Sequence, residues 1–231
     1  KIPFIQYLYK SIKSNSSSSW SSSTSAGEES KNLDTVQELY AFLIEEGFDR
    51  NDVLAALGGG VVGDLTGFAA ATYLRGIRFF QLPTSLLSMV DSSIGGKTGV
   101  DFKAYKNMVG AFYMPQFVYM NISALKTLPA REYRSGFGEI IKHGLILDRQ
   151  FYDWLAKNRD ELLKMDAEFV TEMVYRSLLV KIGSIKTVGK YRQSKSGKLC
   201  HYILYFLCRQ VTAQGTKPEC CCHTHRNTFP V

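Results

Sequence analysis

Isolated charged and amide side chains stand in one glycine-rich, otherwise apolar stretch of the sequence. Asp91 and Lys97 lie in the segment VDSSIGGKTGVD, and Lys106 and Asn107 follow it. A neighbouring lysine and asparagine suit an anionic, hydroxylated ligand, because both donate hydrogen bonds and the lysine adds charge. A P-loop would need glycine where Asp91 stands, so IGGKTG is not a Walker A site. The stretch predicts a binding loop, and a solvated surface loop is the alternative.

A second candidate for ligand binding is a glycine-rich turn. Gly58, Gly60 and Gly63 match G-x-G-x-x-G between a predicted strand and a predicted helix, which is the context that the motif requires. Glycine lets a pyrophosphate approach the backbone N–H groups at the start of a helix. The ribose-binding acid expected about 20 residues later is absent around Pro83. The turn predicts phosphate binding, with an ordinary strand–turn–helix as the alternative.

A third group lies in the predicted helical segment SGFGEIIKHGLI. Glu139 and Lys142 are three residues apart and share a helix face, with His143 close to it. Gly136 and Gly138 each lower helix propensity by roughly 1 kcal/mol, which is easier to understand if something packs closely there. From the residues alone, Glu139 is either a metal ligand or the acid of a surface salt bridge.

Hydrophobic periodicity predicts the elements that position these residues. Strands and helices alternate up to about Pro129, the chain then becomes helical, and one βαβ unit argues for a parallel sheet. The predicted strands cover residues 53–57, 77–83 and 117–120, and the predicted helices cover residues 65–74, 122–127, 130–147, 151–158 and 167–188, after a first helix that starts near Asp34. The predicted fold class is α/β plus α, with a Rossmann-like portion followed by a helical domain.

The charge and cysteine content are concentrated at one end of the 231-residue sequence. Residues 181–231 hold nine Lys or Arg and one acid, which gives this part a net charge of +8. The preceding residues have a net charge of −1, and the whole sequence has +7. The basic balance therefore argues against a nucleic-acid partner. All five cysteines also follow residue 199, so the preceding part has no disulfide framework. No signal peptide or membrane-spanning run is predicted, and the expected compartment is the cytoplasm.

Longer blocks identify the sequence as similar to the 3-dehydroquinate synthase family. The blocks run from about residue 28 to about residue 186 and include GGGVVGDLTGFAAATYLRGIRFFQLPTSLL, MVDSSIGGKTGVD, KNMVGAFYMPQ and LKTLPAREYRSGFGEIIKHGLI. The resemblance implies a cyclase that uses NAD and a divalent metal, zinc or cobalt. Its substrate would be 3-deoxy-D-arabino-heptulosonate 7-phosphate, and its products 3-dehydroquinate and phosphate. The implied sequence is oxidation at C5, phosphate elimination, return of the hydride, ring opening and aldol closure.

The resemblance also implies roles for individual residues. The metal ligand would be Glu139. Substrate would be bound by Arg75, Asp91, Lys97, Asn107 and Lys142, and the cofactor by Gly59, Gly60, Val61, Asp64, Thr84, Ser85 and Lys106. The family's usual Thr-Thr is Thr84-Ser85 here, which keeps the hydroxyl. The implied partner is a small sugar phosphate, with a homodimer as the assembly and with no nucleic acid or membrane.

The sequence departs from the family pattern at both ends. The implied organisation is a Ser-rich disordered leader (1–30), a partial NAD-binding α/β domain (31–129), a partial helical metal and substrate domain (130–189) and a basic Cys/His-rich tail (190–231). The family's two downstream metal-binding histidines have no counterpart, since His201, His223 and His225 lie in the tail. We therefore expect a fold that is incomplete at both ends and a weak or inactive enzyme. The alternatives are a non-catalytic NAD-binding remnant or another sugar phosphate cyclase, such as a 2-deoxy-scyllo-inosose-type synthase.

Overall fold

The structure is a computed structural model that describes residues 4–9, 19–24 and 27–187, with side chains from residue 27 to residue 184. The predicted tail (190–231), with its three histidines and five cysteines, lies outside the described residues. No helix in the described part of the chain is long and apolar enough to cross a membrane.

A four-stranded sheet forms the base of the first half of the chain. Its strands are β1 (Phe4–Tyr9), β2 (Ser19–Thr24), β3 (Val53–Gly58) and β4 (Arg78–Pro83), in the order β2-β1-β3-β4. β3 and β4 are parallel, and α2 (Gly60–Thr72) connects them. Leu54, Ala55 and Ala56 are buried, as expected for a strand covered on both faces. The predicted βαβ unit is confirmed, although its helix begins five residues earlier than predicted.

Two strands are described within the predicted serine-rich leader. β1 and β2 pair antiparallel, and β1 also pairs antiparallel with β3. Sheet pairing uses backbone N–H and C=O groups, so the serine-rich β2 can add to the outer edge of β1 whatever its side chains are. The low apolar content of the leader predicts little side-chain burial. It carries no information about backbone pairing.

The predicted binding loop is largely a β-hairpin. β5 (Lys97–Phe102) and β6 (Tyr105–Phe112) pair antiparallel. A Cβ added at Gly99 would lie 2.8 Å from the Val109 carbonyl oxygen, so glycine here permits close approach of the two strands. The sequence analysis missed the hairpin because its glycines and lysines are untypical of strands. The predicted strand at 117–120 is a single bridge from Val118 to Gln81 of β4.

α2 lies between the sheet and the hairpin. A Cβ added at Gly67 would lie 2.5 Å from Thr98 Cγ2 on β5 and 3.1 Å from Phe79 Cζ on β4. Only a residue without a side chain lets the helix contact both layers at this point. α1 (Leu33–Glu45) covers α2 and contributes Val36, Leu39 and Leu43 to the same apolar core.

The second half of the described chain is helical, as predicted. Its helices are α3 (Ala130–Leu147), α4 (Arg149–Lys157), α5 (Arg159–Leu163) and α6 (Ala167–Thr187), after a 3₁₀ segment at Ile122–Thr127. Their core also includes Leu86, Met89, Val90 and Ile94 from the segment that follows β4. That segment contains a π-helical turn, Ser88–Ser92, which packs against α2, α3 and α6. The π turn therefore connects the sheet half with the helical half.

Candidate active site

The glycine turn lies at the carboxyl ends of the two parallel strands. Gly59 is the N-cap of α2 and makes no side-chain capping hydrogen bond, so N–H groups in the first turn of α2 remain available to an anion. The Thr84 N–H donates to the Gly58 carbonyl at 2.9 Å, which places Thr84 and Ser85 beside the turn. This edge of an α/β sheet is where ligands bind. The structure therefore brings together five of the predicted cofactor residues: Gly59, Gly60, Val61, Thr84 and Ser85.

Asp64 on α2 belongs to a cluster that contains a residue absent from the sequence prediction. Lys31 Nζ donates to Asp64 Oδ2 and to Asn107 Oδ1, each at 2.6 Å, and the Lys31 side chain is only 5% exposed. Burial raises the pKa of Asp64, and the Lys31 ammonium opposes that rise. Lys31 stands in a polar segment before α1, where no pattern separates a buried lysine from an exposed one.

The tip of the hairpin is held next to this cluster. The Asn107 N–H donates to Asp101 Oδ1 at 2.7 Å, and the Asp101 N–H donates to the Lys31 carbonyl at 2.8 Å. Asn107 has φ of 55°, a left-handed conformation that asparagine tolerates better than most residues. The exposed Lys106 lies 3.5 Å from Glu28 Oε1. The structure thus joins Asp64, Lys106 and Asn107 at one end of α2.

A second cluster of charges lies where α3 and α6 meet the π turn. Lys142 Nζ donates to both Glu139 oxygens, at 3.0 and 3.2 Å, so the i,i+3 salt bridge that was the alternative to a metal ligand is present. This contact raises the pKa of Lys142. Lys181 on α6 forms an ion pair with Asp91 of the π turn. Lys181 was missed by the sequence analysis, because helical periodicity does not reveal which distant loop a residue meets.

His143 lies behind Glu139 and is 4% exposed. Its Nε2 is 3.4 Å from Glu139 Oε1, and its Nδ1 is 2.8 Å from Ser177 Oγ on α6. Burial lowers the pKa of His143, although the nearby Glu139 carboxylate opposes that effect. Burial thus favours the neutral form of the ring.

Asp91 links the two clusters electrostatically. Its carboxylate contributes to the pKa of Asp64 on one side and to the pKa values of Lys142 and His143 on the other. π-helical turns occur often at functional sites, and this one places an acid between the glycine turn and the helical cluster. The two clusters therefore form one polar region around the π turn.

Two predicted substrate residues remain outside these contacts. Arg75 and Lys97 are exposed, and neither forms an ion pair with another described residue. Leu74 and Arg75 have φ of 49° and 64°, which is an uncommon conformation for bulky residues. Such strained backbone often occurs at ligand sites, and here it presents the Arg75 guanidinium to solvent.

The donor set for a metal is incomplete within the described chain. Glu139 offers a carboxylate that is 16% exposed, which fits one position of a catalytic zinc site. Three protein ligands are expected at such a site, and no group of three His, Cys, Asp or Glu side chains is arranged for a metal among the described residues. A complete site needs two further ligands from elsewhere.

Comparison with known proteins gives a consistent family. The family models for the N-terminal and C-terminal parts of 3-dehydroquinate synthase match residues 21–135 and 136–194. The 3-dehydroquinate synthase of Acetivibrio thermocellus is 51% identical over 161 residues, which cover 70% of this chain and 45% of that protein. That of Acidithiobacillus ferrooxidans is 49% identical over 174 residues, which cover 75% and 48%. The chain thus spans about half the length of the curated relatives it matches.

Solved structures of sugar phosphate cyclases share the fold. 2-epi-5-epi-valiolone synthase from Streptomyces hygroscopicus, solved with NAD+ and Zn2+ bound, has a TM-score of 0.69 and 29% identity, covering 74% of this chain and 48% of that one. A 2-deoxy-scyllo-inosose synthase, complexed with carbaglucose-6-phosphate, NAD+ and Co2+, has a TM-score of 0.63 and 27% identity, covering 82% and 52%. The matched family models together cover most of the described residues, and the chain belongs to the 3-dehydroquinate synthase family.

Proposed function

We propose that this chain carries the cofactor-binding and much of the substrate-binding part of a 3-dehydroquinate synthase. The reaction is the conversion of 3-deoxy-D-arabino-heptulosonate 7-phosphate to 3-dehydroquinate and phosphate. The observation that supports it most is the polar region in which Asp91 lies between the glycine turn and the Glu139–Lys142 pair. When bound, NAD would accept and return a hydride, and a divalent metal, zinc or cobalt, would polarise hydroxyls.

The cofactor side is assigned to the glycine turn and its neighbours. First-turn N–H groups at Gly59, Gly60 and Val61 would donate to the pyrophosphate. The hydroxyls of Thr84 and Ser85 lie at the same edge. Asp64, whose carboxylate is paired with Lys31, would accept hydrogen bonds from cofactor hydroxyls. Lys106 would add positive charge at the hairpin tip.

The substrate side is assigned to the remaining charges. Arg75, Lys97 and Asn107 suit phosphate and carboxylate groups, because they donate hydrogen bonds and two of them are cationic. Asp91 would accept from a substrate hydroxyl while Lys181 holds its carboxylate. Lys142 would contact the same substrate next to Glu139, which fits as one metal ligand.

A binding and turnover experiment tests this function. We expect calorimetry to detect NAD binding to the chain, with Lys106→Ala weakening it roughly fivefold to tenfold through the lost charge and the exposed Lys126→Ala leaving it unchanged. We expect phosphate release from the heptulosonate phosphate, with NAD and zinc, to be weak or undetectable, because the described residues supply one metal ligand.

The outcomes separate the alternatives. Failure to bind NAD would overturn the proposal. Robust, chelator-sensitive phosphate release would support the proposed reaction and contradict the expectation of weak activity. Turnover restricted to another sugar phosphate would favour a different cyclase, a second candidate supported by the likeness to 2-deoxy-scyllo-inosose synthase. NAD binding with no phosphate release at any metal concentration would favour a non-catalytic NAD-binding remnant.

The proposal extends to assembly and compartment. We infer a homodimer that acts in the cytoplasm on a small sugar phosphate, without a nucleic-acid or membrane partner. The net charge of −1 over the first 180 residues supports the absence of a nucleic-acid partner.

A further inference from the structure

A closed ring of hydrogen bonds joins the segment before α1 to the β5–β6 hairpin. The Asp101 N–H donates to the Lys31 carbonyl at 2.8 Å, and Asp101 Oδ1 accepts from the Asn107 N–H at 2.7 Å. Lys31 Nζ closes the ring by donating to Asn107 Oδ1 at 2.6 Å. Main-chain and side-chain contacts together therefore hold this part of the hairpin against Lys31.

The ring is attached to α2 through the same ammonium group. Lys31 Nζ also donates to Asp64 Oδ2 at 2.6 Å, and its side chain is only 5% exposed. A buried ammonium depends on such partners, because little water is available to replace them. Lys103 and Lys106 of the hairpin are exposed and keep much more rotamer freedom. Lys31 is thus the lysine whose direction is fixed here.

The charge of Lys31 dictates the orientation of the Asn107 amide. An ammonium group only donates, whereas a side-chain amide has an accepting oxygen and a donating NH₂ group. A flipped amide would place donors against donors, so the oxygen must face Lys31. The NH₂ group of Asn107 has no hydrogen-bond partner among the described residues, and the residue is exposed. The part of the side chain left to a ligand therefore only donates, which suits phosphate or carboxylate.

The backbone of Asn107 is fixed separately from its side chain. Its φ of 55° is in the left-handed region, which is uncommon for residues other than glycine, and the contact with Asp101 Oδ1 stabilises this conformation. Asp101 thus determines where the side chain leaves the hairpin, and Lys31 determines which end of the amide points away from α2.

We propose that Lys31 is a positioning residue that fixes the Asn107 amide beside Asp64, so that only its NH₂ group is presented to an anionic ligand. This role rests on the proposed function, in which Asn107 contacts a phosphate or carboxylate group of the sugar phosphate. The same ammonium bonds Asp64, which is assigned to the cofactor side. Lys31 would therefore hold one residue of each side at a constant separation.

Nuclear magnetic resonance of the chain without ligands tests the orientation. Three-bond couplings to the β-protons of Asn107 should report a single rotamer. Lys31→Met removes the donor and should give averaged couplings, and Lys31→Arg keeps N–H donors and should restore the single rotamer. The matched control is Lys103→Met, which removes an exposed lysine from the same hairpin and should leave the couplings unchanged.

A second measurement needs no substitution. In the unsubstituted chain, a coupling through the hydrogen bond should connect the Lys31 Nζ nucleus with the Asn107 Cγ nucleus. This coupling requires the amide oxygen to face the ammonium group, so it carries the test if Lys31→Met does not fold.

A titration then tests the consequence for ligand binding. The heptulosonate phosphate is added to the NAD-loaded chain, and the Asn107 NH₂ signals are followed. We expect these signals to shift, and we expect Lys31→Met to weaken binding roughly tenfold, as for the loss of one oriented hydrogen bond to a charged group. Lys31→Arg should weaken it less, and Lys103→Met should leave the affinity unchanged.

The positioning role is overturned by averaged Asn107 couplings in the unsubstituted chain, or by a single rotamer that persists in folded Lys31→Met. If that variant does not fold, absence of the Nζ–Cγ coupling overturns it. A chain that binds no sugar phosphate but shows the fixed amide would refute the proposed substrate contact and leave the positioning role intact. Sugar phosphate binding that is equally strong in folded Lys31→Met would refute only the positioning role.

Discussion

Lys31 is a buried positive charge next to the glycine turn that we propose binds the cofactor. A buried ammonium is unfavourable unless anionic or dipolar partners replace its hydration, and Asp64 and Asn107 do so at 2.6 Å each. These partners belong to α2 and to the hairpin, so a single side chain connects the two elements that carry the predicted binding residues Asp64 and Asn107. Its loss would leave Asp64 half-buried beside a neutral surface.

We expect Lys31→Met to destabilise the protein by ~1–3 kcal/mol. This is less than the ~3–5 kcal/mol for breaking a fully buried pair, because the Asp64 side chain is 20% exposed and water screens it in part. Urea unfolding measures the change. Lys31→Arg should recover part of the loss, and Lys126→Met, at an exposed position, should have little effect. Equal effects of the two methionine variants would contradict this role.

Tyr133 provides a pH-dependent test of packing in the helical half. It is buried, donates to the Leu162 carbonyl at 2.8 Å, and burial raises its pKa from 10.0 to about 12. The folded state therefore keeps this proton where the unfolded state has lost it, and stability falls as pH rises from 10 to about 12, by up to ~1.4 kcal/mol per pH unit. Below pH 10 the contribution is complete.

The comparison of the chain with Tyr133→Phe isolates that effect. Alkaline titration of phenolate absorbance should lose its latest step in the variant, and the unfolding free energy of the variant should fall less steeply above pH 10. An unchanged late step in Tyr133→Phe would show that another tyrosine accounts for it.

At the scale of elements, α3 is positioned by one of its two glycines. A Cβ added at Gly136 would lie 2.8 Å from both Cβ and Cγ of Leu86, whereas a Cβ added at Gly138 would meet nothing within 4 Å. Leu86 is fully buried and follows Ser85, so this contact sets the distance between α3 and the carboxyl ends of the parallel strands. The helix-propensity penalty at Gly136 thus has a packing reason, and Gly138 has none among the described residues.

We expect Gly136→Ala to destabilise the protein by ~1–3 kcal/mol, because the added methyl group overpacks a contact with atoms close to the Leu86 backbone. The matched variant Gly138→Ala should be neutral or stabilising by up to ~1 kcal/mol, since it improves helix propensity in open space. Thermal and urea unfolding of both variants measure the difference. Similar losses in both would show that Leu86 moves to accommodate the methyl group.

At the scale of the whole molecule, the end of α3 presents an exposed apolar surface. Ile141, Leu145, Ile146 and Leu147 are all exposed, with Ile146 at 68%. Clustered apolar side chains of this kind mark interaction surfaces in soluble proteins. The chain spans about half the length of its curated relatives. This surface belongs to the helical half of the described chain, where the metal donor set is also incomplete.

We expect the chain to self-associate through this surface in solution. The weight-average mass from sedimentation should rise with concentration, and the double variant Leu145→Lys, Ile146→Lys should suppress that rise, since it replaces apolar area with charge. Lysines near the C-terminal end of a helix also interact favourably with the helix dipole, so the substitutions should not destabilise α3. The control Leu163→Lys, an exposed site on α5, should behave like the unsubstituted chain. Association that is insensitive to the double variant would place the contact elsewhere.

Local sequence signals were sufficient for the parts of the protein that depend on local physics. The βαβ unit follows from an apolar run, three glycines and a helical period. The helical patterns at 130–147, 151–158 and 167–188 follow from 3.6-residue spacing. The 3-dehydroquinate synthase family follows from long motifs that keep their order. The roles of individual residues remain predictions. The structure places most of these residues in two adjacent clusters, with Arg75 and Lys97 outside them.

Only the tertiary structure decided which distant residues meet. Lys31 and Lys181 lie far along the chain from Asp64 and Asp91, and no periodicity encodes a contact between an exposed-type side chain and a distant turn. The hairpin was missed because backbone hydrogen bonding stabilises it where its glycines and lysines disfavour strands. Local pattern determined the elements, and packing around the π turn determined the site, because burial of charge requires partners that only the folded chain brings together.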